Sequence, residues 1–169
     1  MNVETLEDLF GYQLQHAYYV ERTHVELLDE MAADARNDDL AERFATHRDE
    51  TERQAERLED VFAAMGRQPR ASRSRAVDGF AASRRNRIES SDGNEDGQAP
   101  PMHVDLGIGL AAERLEIRTY EGLLRLAGRL AYADDVVEPL EATLAEERET
   151  RQRLEDVETE TSIVDSLEH

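Results

Sequence analysis

Glutamate and histidine recur in this chain at spacings that a helix would gather on one face. Glu21 and His24 are three residues apart, as are His47 and Glu50, and Glu113 and Glu116, while Glu146 and Glu147 are adjacent. Residues three or four apart are neighbours along an α-helix. A turn near residue 36 would leave Glu21 and Glu50 almost equally far from it, 15 and 14 residues. At about 1.5 Å rise per residue the two would sit at one height in an antiparallel hairpin. His24 and His47, 12 and 11 residues from the same point, would face each other one turn nearer the loop. A second turn near residue 133 puts Glu116 at 17 residues, Glu147 at 14 and Glu113 at 20, with Glu116 and Glu147 the better matched. Carboxylate oxygen with imidazole nitrogen is the donor set of iron and manganese, and zinc also accepts it. Four carboxylates and two histidines projecting inward from four helices would suit a pair of ions.

A competing reading has to be weighed beside that chemistry. Asp and Glu number 39, so a Glu at helical spacing usually belongs to a solvated face. These particular acids lie on or beside apolar stripes, and a buried carboxylate without a partner costs several kcal/mol. They therefore call for a metal or for cations. Arg114, Arg118 and Arg151 are near enough in sequence to neutralise Glu113, Glu116 and Glu147 without any ion. The residues alone leave open a metal-binding core and a salt-bridged structural core. No residue is assigned a catalytic role, since no Walker loop, GxSxG elbow or local Ser–His–Asp spacing occurs.

The elements that must position these side chains are helices. Leu6, Phe10, Leu14, Ala17, Glu21, His24, Leu28 and Met31 form one stripe of a first helix over residues 4–34. Asn37 and Asp38 suit a turn and N-cap, and a second helix from about Asp39 carries Phe44, His47, Thr51, Gln54, Leu58 and Val61 on one face. Gly66 and Pro69 stop it. Residues 67–101 are broken by Ser-Arg, Gly and Pro-Pro punctuation around one short amphipathic piece. A third helix is expected over Met102–Leu130, and a fourth from Asp134, with Pro139 in its first turn. Two short hairpin turns and one long crossover predict an all-α, ferritin-like four-helix bundle with a short extra helix in the crossover. The domain is expected over 1–163, with 164–169 a flexible tail. Leu167-Glu168-His169 looks like the start of a purification tag, so His169 is left out of any site.

Composition narrows the setting. A chain of 169 residues suits one domain. Cysteine is absent, which excludes disulfides and thiolate chemistry. No apolar run is long enough to span a bilayer and the N-terminus lacks a basic and apolar leader, so a cytoplasmic protein is expected. The formal net charge is −19 and every basic residue is Arg, which disfavours nucleic acid as a partner. The crossover is the exception, with Arg67, Arg70, Arg73, Arg75, Arg84, Arg85 and Arg87. Phe80 is the one aromatic of that stretch, too few for base stacking, so the segment is expected to lie against the acidic bundle. An acidic, lysine-free surface also fits a halophilic, haloarchaeal origin, where molar salt shortens the Debye length to about 3 Å.

Several segments in order resemble the YciE/YciF-like family of ferritin-like stress proteins. They are LeuGluAspLeuPhe (6–10), AlaTyrTyrValGlu (17–21), HisArgAspGluThrGluArgGln (47–54), ArgLeuGlu (57–59), AlaValAspGlyPhe (76–80), GluArgLeuGluIleArgThrTyr (113–120) and LeuAlaGluGluArgGluThr (144–150). The resemblance implies a di-iron or di-manganese carboxylate centre and assembly into homodimers. Its acidic positions correspond to Glu21, Glu50, Glu113, Glu116 and Glu147, and its histidine to His47. Arg114 stands where that pattern has a histidine, Arg151 where an acid is common, and His24 where an apolar residue is usual. Guanidinium groups at that depth would oppose a second ion, so passive metal binding is expected ahead of iron oxidase activity. Tyr12, Tyr18, Tyr19 and Val25, lying off the main stripe of the first helix, supply an apolar second face for a homodimer.

The net charge of −19 carries its own expectation. The melting temperature should keep rising from low to molar KCl, and a flat response by calorimetry would exclude a salt-adapted surface.

Overall fold

The computed structural model describes residues 3–35, 38–91 and 102–167, with side chains described over 3–35, 38–89 and 105–159. Five helices follow in order: α1 (Leu6–Asp34), α2 (Asp38–Ala64), α3 (Arg75–Ser91), α4 (Met102–Leu130) and α5 (Asp134–Leu167). Among the described residues there is no strand. α1 packs with α2 and α4 with α5 as hairpins, α1 also meets α4, and α2 meets α5. That closes a four-helix bundle of the ferritin-like kind, and α3 in the crossover lies on α1 and α4.

Local chemistry sets the helix ends. Thr5 Oγ1 accepts from the Asp8 N–H at 3.0 Å, and Asp8 in turn accepts from the Thr5 N–H at 3.1 Å, a reciprocal capping box. Gly66, at φ 66, ends α2 in the left-handed region, and the Arg67 N–H reaches back to the Phe62 carbonyl at 2.8 Å. The α4–α5 turn uses Ala131 at φ 52, with the Tyr132 N–H donating to the Ala127 carbonyl. Asn37 lies outside the described residues.

Two boundaries differ from expectation. Because α5 begins at Asp134, Pro139 falls in its second turn and removes the usual donor to the carbonyl of exposed Asp135. α5 also continues to Leu167, so no break in the helix marks the expected start of a tail at 164.

The core has two apolar layers. One gathers Phe10, Leu14, Leu58, Phe62, Leu123 and Leu140, and the other Leu27, Leu28, Met31, Phe44 and Ala81. Along α1 the sequence runs from the first layer through Glu21 and His24 into the second, so a polar band separates them. Among the described residues no helix is long and apolar enough to cross a membrane.

The basic crossover lies against acidic helices, as its composition suggested. Arg84 is fully buried, donating from Nε to Asp105 of α4 at 2.9 Å and from a terminal nitrogen to Asp34 of α1 at 3.0 Å. Arg85 pairs with Glu30, and Arg73 with Asp78. α1's second face is also largely engaged inside the chain. Tyr19 donates to Asp78 of α3 and Tyr18 to Glu59 of α2, each at 2.6 Å, while Tyr12 stays exposed.

Arg84 is the bolt of the crossover, and removing one side of a buried pair costs ~3–5 kcal/mol. Arg84→Met should lose stability of that order in urea unfolding, because it leaves Asp105 buried and unpaired. Arg84→Met with Asp105→Leu should recover part of the loss.

Candidate metal centre

The polar band brings six ligand-type side chains to one level. α1 contributes Glu21 and His24, α2 His47, α4 Glu113 and Glu116, and α5 Glu147. Five of the six are at most 2% exposed, and the His47 side chain is 12% exposed. One donor atom each from His24, His47 and Glu113 lies within 4.8 Å of the others, and the same holds for Glu113, Glu116 and Glu147. Glu113 belongs to both groups, the place a bridging carboxylate would take.

Hydrogen bonding aims these donors without consuming them. His24 Nδ1 lies 2.8 Å from Glu116 Oε1, which assigns the N–H to Nδ1 in a neutral ring and leaves the Nε2 lone pair free. His47 Nε2 approaches Glu113 Oε1 at 3.0 Å without hydrogen-bond geometry. The two imidazoles meet edge to face, ring centroids 5.1 Å apart. Tyr120, fully buried on α4, donates its hydroxyl to Glu21 Oε1 at 2.6 Å. Glu21 Oε2, His24 Nε2 and Glu116 Oε2 are buried with no hydrogen-bond partner. Both Glu113 oxygens and Glu147 Oε2 have none while those two carboxyls are ionised, a protonated Glu147 being placed to donate to Glu113.

Burial and crowding shift the titrations. Loss of water first, and then the neighbouring carboxylates, raise Glu21, Glu113 and Glu147 well above the usual carboxylate range. For His47 burial dominates, aided by His24 and the Arg153 guanidinium, and holds the ring well below the usual imidazole value. Burial also opposes protonation of His24, but the charge and hydrogen bond of Glu116 outweigh it and raise that ring.

The sequence expectations divide at this point. Glu21, His47, Glu113, Glu116 and Glu147 converge, and His24 joins them. Glu50 does not. It sits at the rim, 22% exposed, accepting from Arg153 at 2.9 Å. The cause is helical phase: Thr51, four residues past His47, continues the buried face with Gln54, whereas Glu50 turns aside toward α5. Equal height in a hairpin is therefore not shared direction. Glu146 likewise leaves the centre and forms a two-pronged pair with Arg57, at 2.6 and 2.7 Å.

The expected guanidinium groups also stand elsewhere. Arg114 and Arg151 both reach Glu155 instead, at 3.9 and 3.5 Å, and Arg118 pairs with Glu121. Arg114 directly follows Glu113, which rotates it about 100° away around the helix. Tyr120 was missed as a partner of the site. Its spacing of four from Glu116 was the available signal.

With the geometry in view, the chain can be set beside known proteins. The family described as "Domain of unknown function (DUF892)" matches residues 5–165. Protein YciF of Escherichia coli strain K12 is 29% identical over 158 residues, covering 93% of this chain and 92% of YciF. The structure of the E. coli stress protein YciF superposes with a TM-score of 0.80 at 27% identity, covering 93% of this chain and 96% of that one. YcfI from Rhodopseudomonas palustris, provisionally a structural protein, gives a TM-score of 0.80 at 30% identity, over 91% of this chain and 95% of its own.

The raised carboxyl groups predict a pH response for the metal-free protein. A carboxyl whose folded pKa is raised keeps its proton where the unfolded chain has lost it, so stability falls as pH climbs from the ordinary value of 4.5 through the folded values. Glu113→Gln removes one such group and should flatten that decline in urea unfolding run across pH. An unchanged slope would contradict the burial of an ionisable Glu113.

Proposed function

The chain belongs to the DUF892 family, and from that footing we propose that it is a metal-binding protein of the YciF-like stress group, holding two iron or manganese ions in the middle of its bundle. The unsatisfied donor atoms carry this reading. Six buried oxygen and nitrogen atoms, without partners while the carboxyls are ionised, face one small region, and leaving such atoms unpaired is costly. Their chemistry is that of iron, manganese or zinc. His24, His47 and Glu113 would hold one ion, Glu113, Glu116 and Glu147 the other, with Glu21 beside them. Bound there, iron or manganese would supply Lewis acidity and one-electron chemistry.

The chain's own residues prepare the place. The Glu116 bond to His24 fixes the tautomer that leaves Nε2 available. Tyr120 holds one oxygen of Glu21 and leaves the other directed inward. The apolar layers on both sides keep water away from the carboxylates.

The structural alternative needs cations among these acids, or protons retained by the raised carboxyls. Among the described residues the arginines expected to serve are paired with other acids outside the centre. Their displacement also removes the repulsion expected against a second ion, which favours Fe(II) oxidation as the second reading. A part in stress responses comes to this chain by likeness to E. coli YciF.

Protein never exposed to a nickel column should carry iron, manganese or zinc in a near-integral ratio, measured by elemental analysis. Glu113→Gln should lower the content most, because that residue serves both groups, and Glu50→Gln should leave it unchanged. A chain that stays metal-free after reconstitution would return the bundle to a structural role. Aerobic addition of Fe(II) to the apo-protein, followed by ferric absorbance, separates the oxidase reading from passive binding.

A further inference from the structure

A second feature of this bundle lies beside the buried donors and is not part of them. Between α2 and α5 a half-open cavity of about 370 Å³ is walled by Leu40 and Phe44, by Leu106 of α4, and by Leu154 and Val157. That volume is within the range of small-molecule sites. The setting is unusual for this chain, whose residues are 35% charged and whose exposed large apolar side chains, among the described residues, are Val3, Leu6 and Tyr12 at the opposite end of the hairpin.

The rim says which ligand the hollow can take. Its two arginines are already matched: Arg43 pairs with Asp39 at 2.9 Å, and Arg153 pairs with Glu50 at 2.9 Å while donating to Thr150 at 2.7 Å. An anionic ligand would find no uncommitted cation and would enter the field of a chain with net charge −19. A cationic ligand would have to bury its charge against Leu and Phe, because Asp39 and Glu50 are occupied and the remaining acid of the lining, Glu42, is exposed to water, where an ion pair contributes little. The inner wall offers one polar side chain of the ligand cluster, His47.

We infer that this cavity binds an uncharged, mainly apolar small molecule with its polar end toward His47. The walls exclude water from the ligand's body, the rim with its paired arginines and solvated Glu42 admits an uncharged molecule, and His47 joins the two sites. The inference does not rest on metal occupancy, because the cavity is formed by side chains outside the donor cluster except for that one ring.

The test uses the full chain, metal-free, titrated with three molecules of one shape: 1-naphthalenemethanol, 1-naphthoate and 1-naphthylmethylammonium. The alcohol should bind saturably at one site by calorimetry, and each charged analogue at least about tenfold more weakly. Leu154→Trp fills the hollow and should weaken the alcohol by about tenfold or more, whereas Leu154→Met, similar in volume, should not. If Leu154→Trp loses its helical circular dichroism, Val157→Phe reads the same loss. An analogue that binds as tightly as the alcohol would overturn the ligand class. Absence of saturable binding, or alcohol binding indifferent to the filling variants, would overturn the site.

Discussion

Four carboxylates and two imidazoles occupy a level of the bundle that would otherwise be packed with leucine, and the architecture is organised around keeping them there. Burying even one such group uncompensated costs several kcal/mol. The chain reduces that cost in three visible ways. Burial and mutual repulsion favour the protonated forms of Glu21, Glu113 and Glu147. Glu116 shares charge with His24, and Tyr120 satisfies one oxygen of Glu21. Glu21 Oε2, His24 Nε2 and Glu116 Oε2 are left bare. The apolar layers then have to supply the net stability, which explains why Phe10, Leu14, Phe62 and Leu123 on one side, and Leu27, Leu28 and Met31 on the other, are almost completely enclosed.

The crossover serves the same constraint from outside. A chain with so many acids repels itself, and α3 brings arginines to where α1 and α4 carry Asp34 and Asp105. Arg84 is buried with Asp105 and reaches exposed Asp34, and Asp105 is raised by burial although the guanidinium opposes the shift. α1 is thus gripped twice, by α2 through Tyr18 and by α3 through Tyr19, which leaves Glu21 and His24 little freedom to rotate away from the centre.

Much of this was legible in the chain because helical bundles obey short-range rules. Periodicity located the four long helices, and counting from the turns paired His24 with His47 and Glu116 with Glu147. The errors share one origin. Height along a helix follows from counting, but azimuth depends on which neighbour each face meets. Glu50 is at the right height and points to α5, and Arg114 and Arg151 are near the acids in sequence and turned toward Glu155. Azimuth could have been read from the apolar stripe of α2, where His47 and Thr51 fall in line and Glu50 does not. The partners of Tyr120 could not, since they depend on α1 lying against α4.

The exposure of the six donors also differs in a way that gives the site a direction. Glu21 is backed by Tyr120, and Tyr120 by the large apolar layer, so that flank is closed. His47 alone of the six lines the α2–α5 cavity and retains measurable exposure. Its neighbours at the mouth are Glu50 and Arg153, which hold each other, and the same guanidinium helps keep the His47 ring unprotonated. A neutral imidazole can donate its lone pair, while a protonated one cannot. Glu50 thus ends outside the donor set, paired with Arg153 beside His47, the one member of the six that lines the cavity.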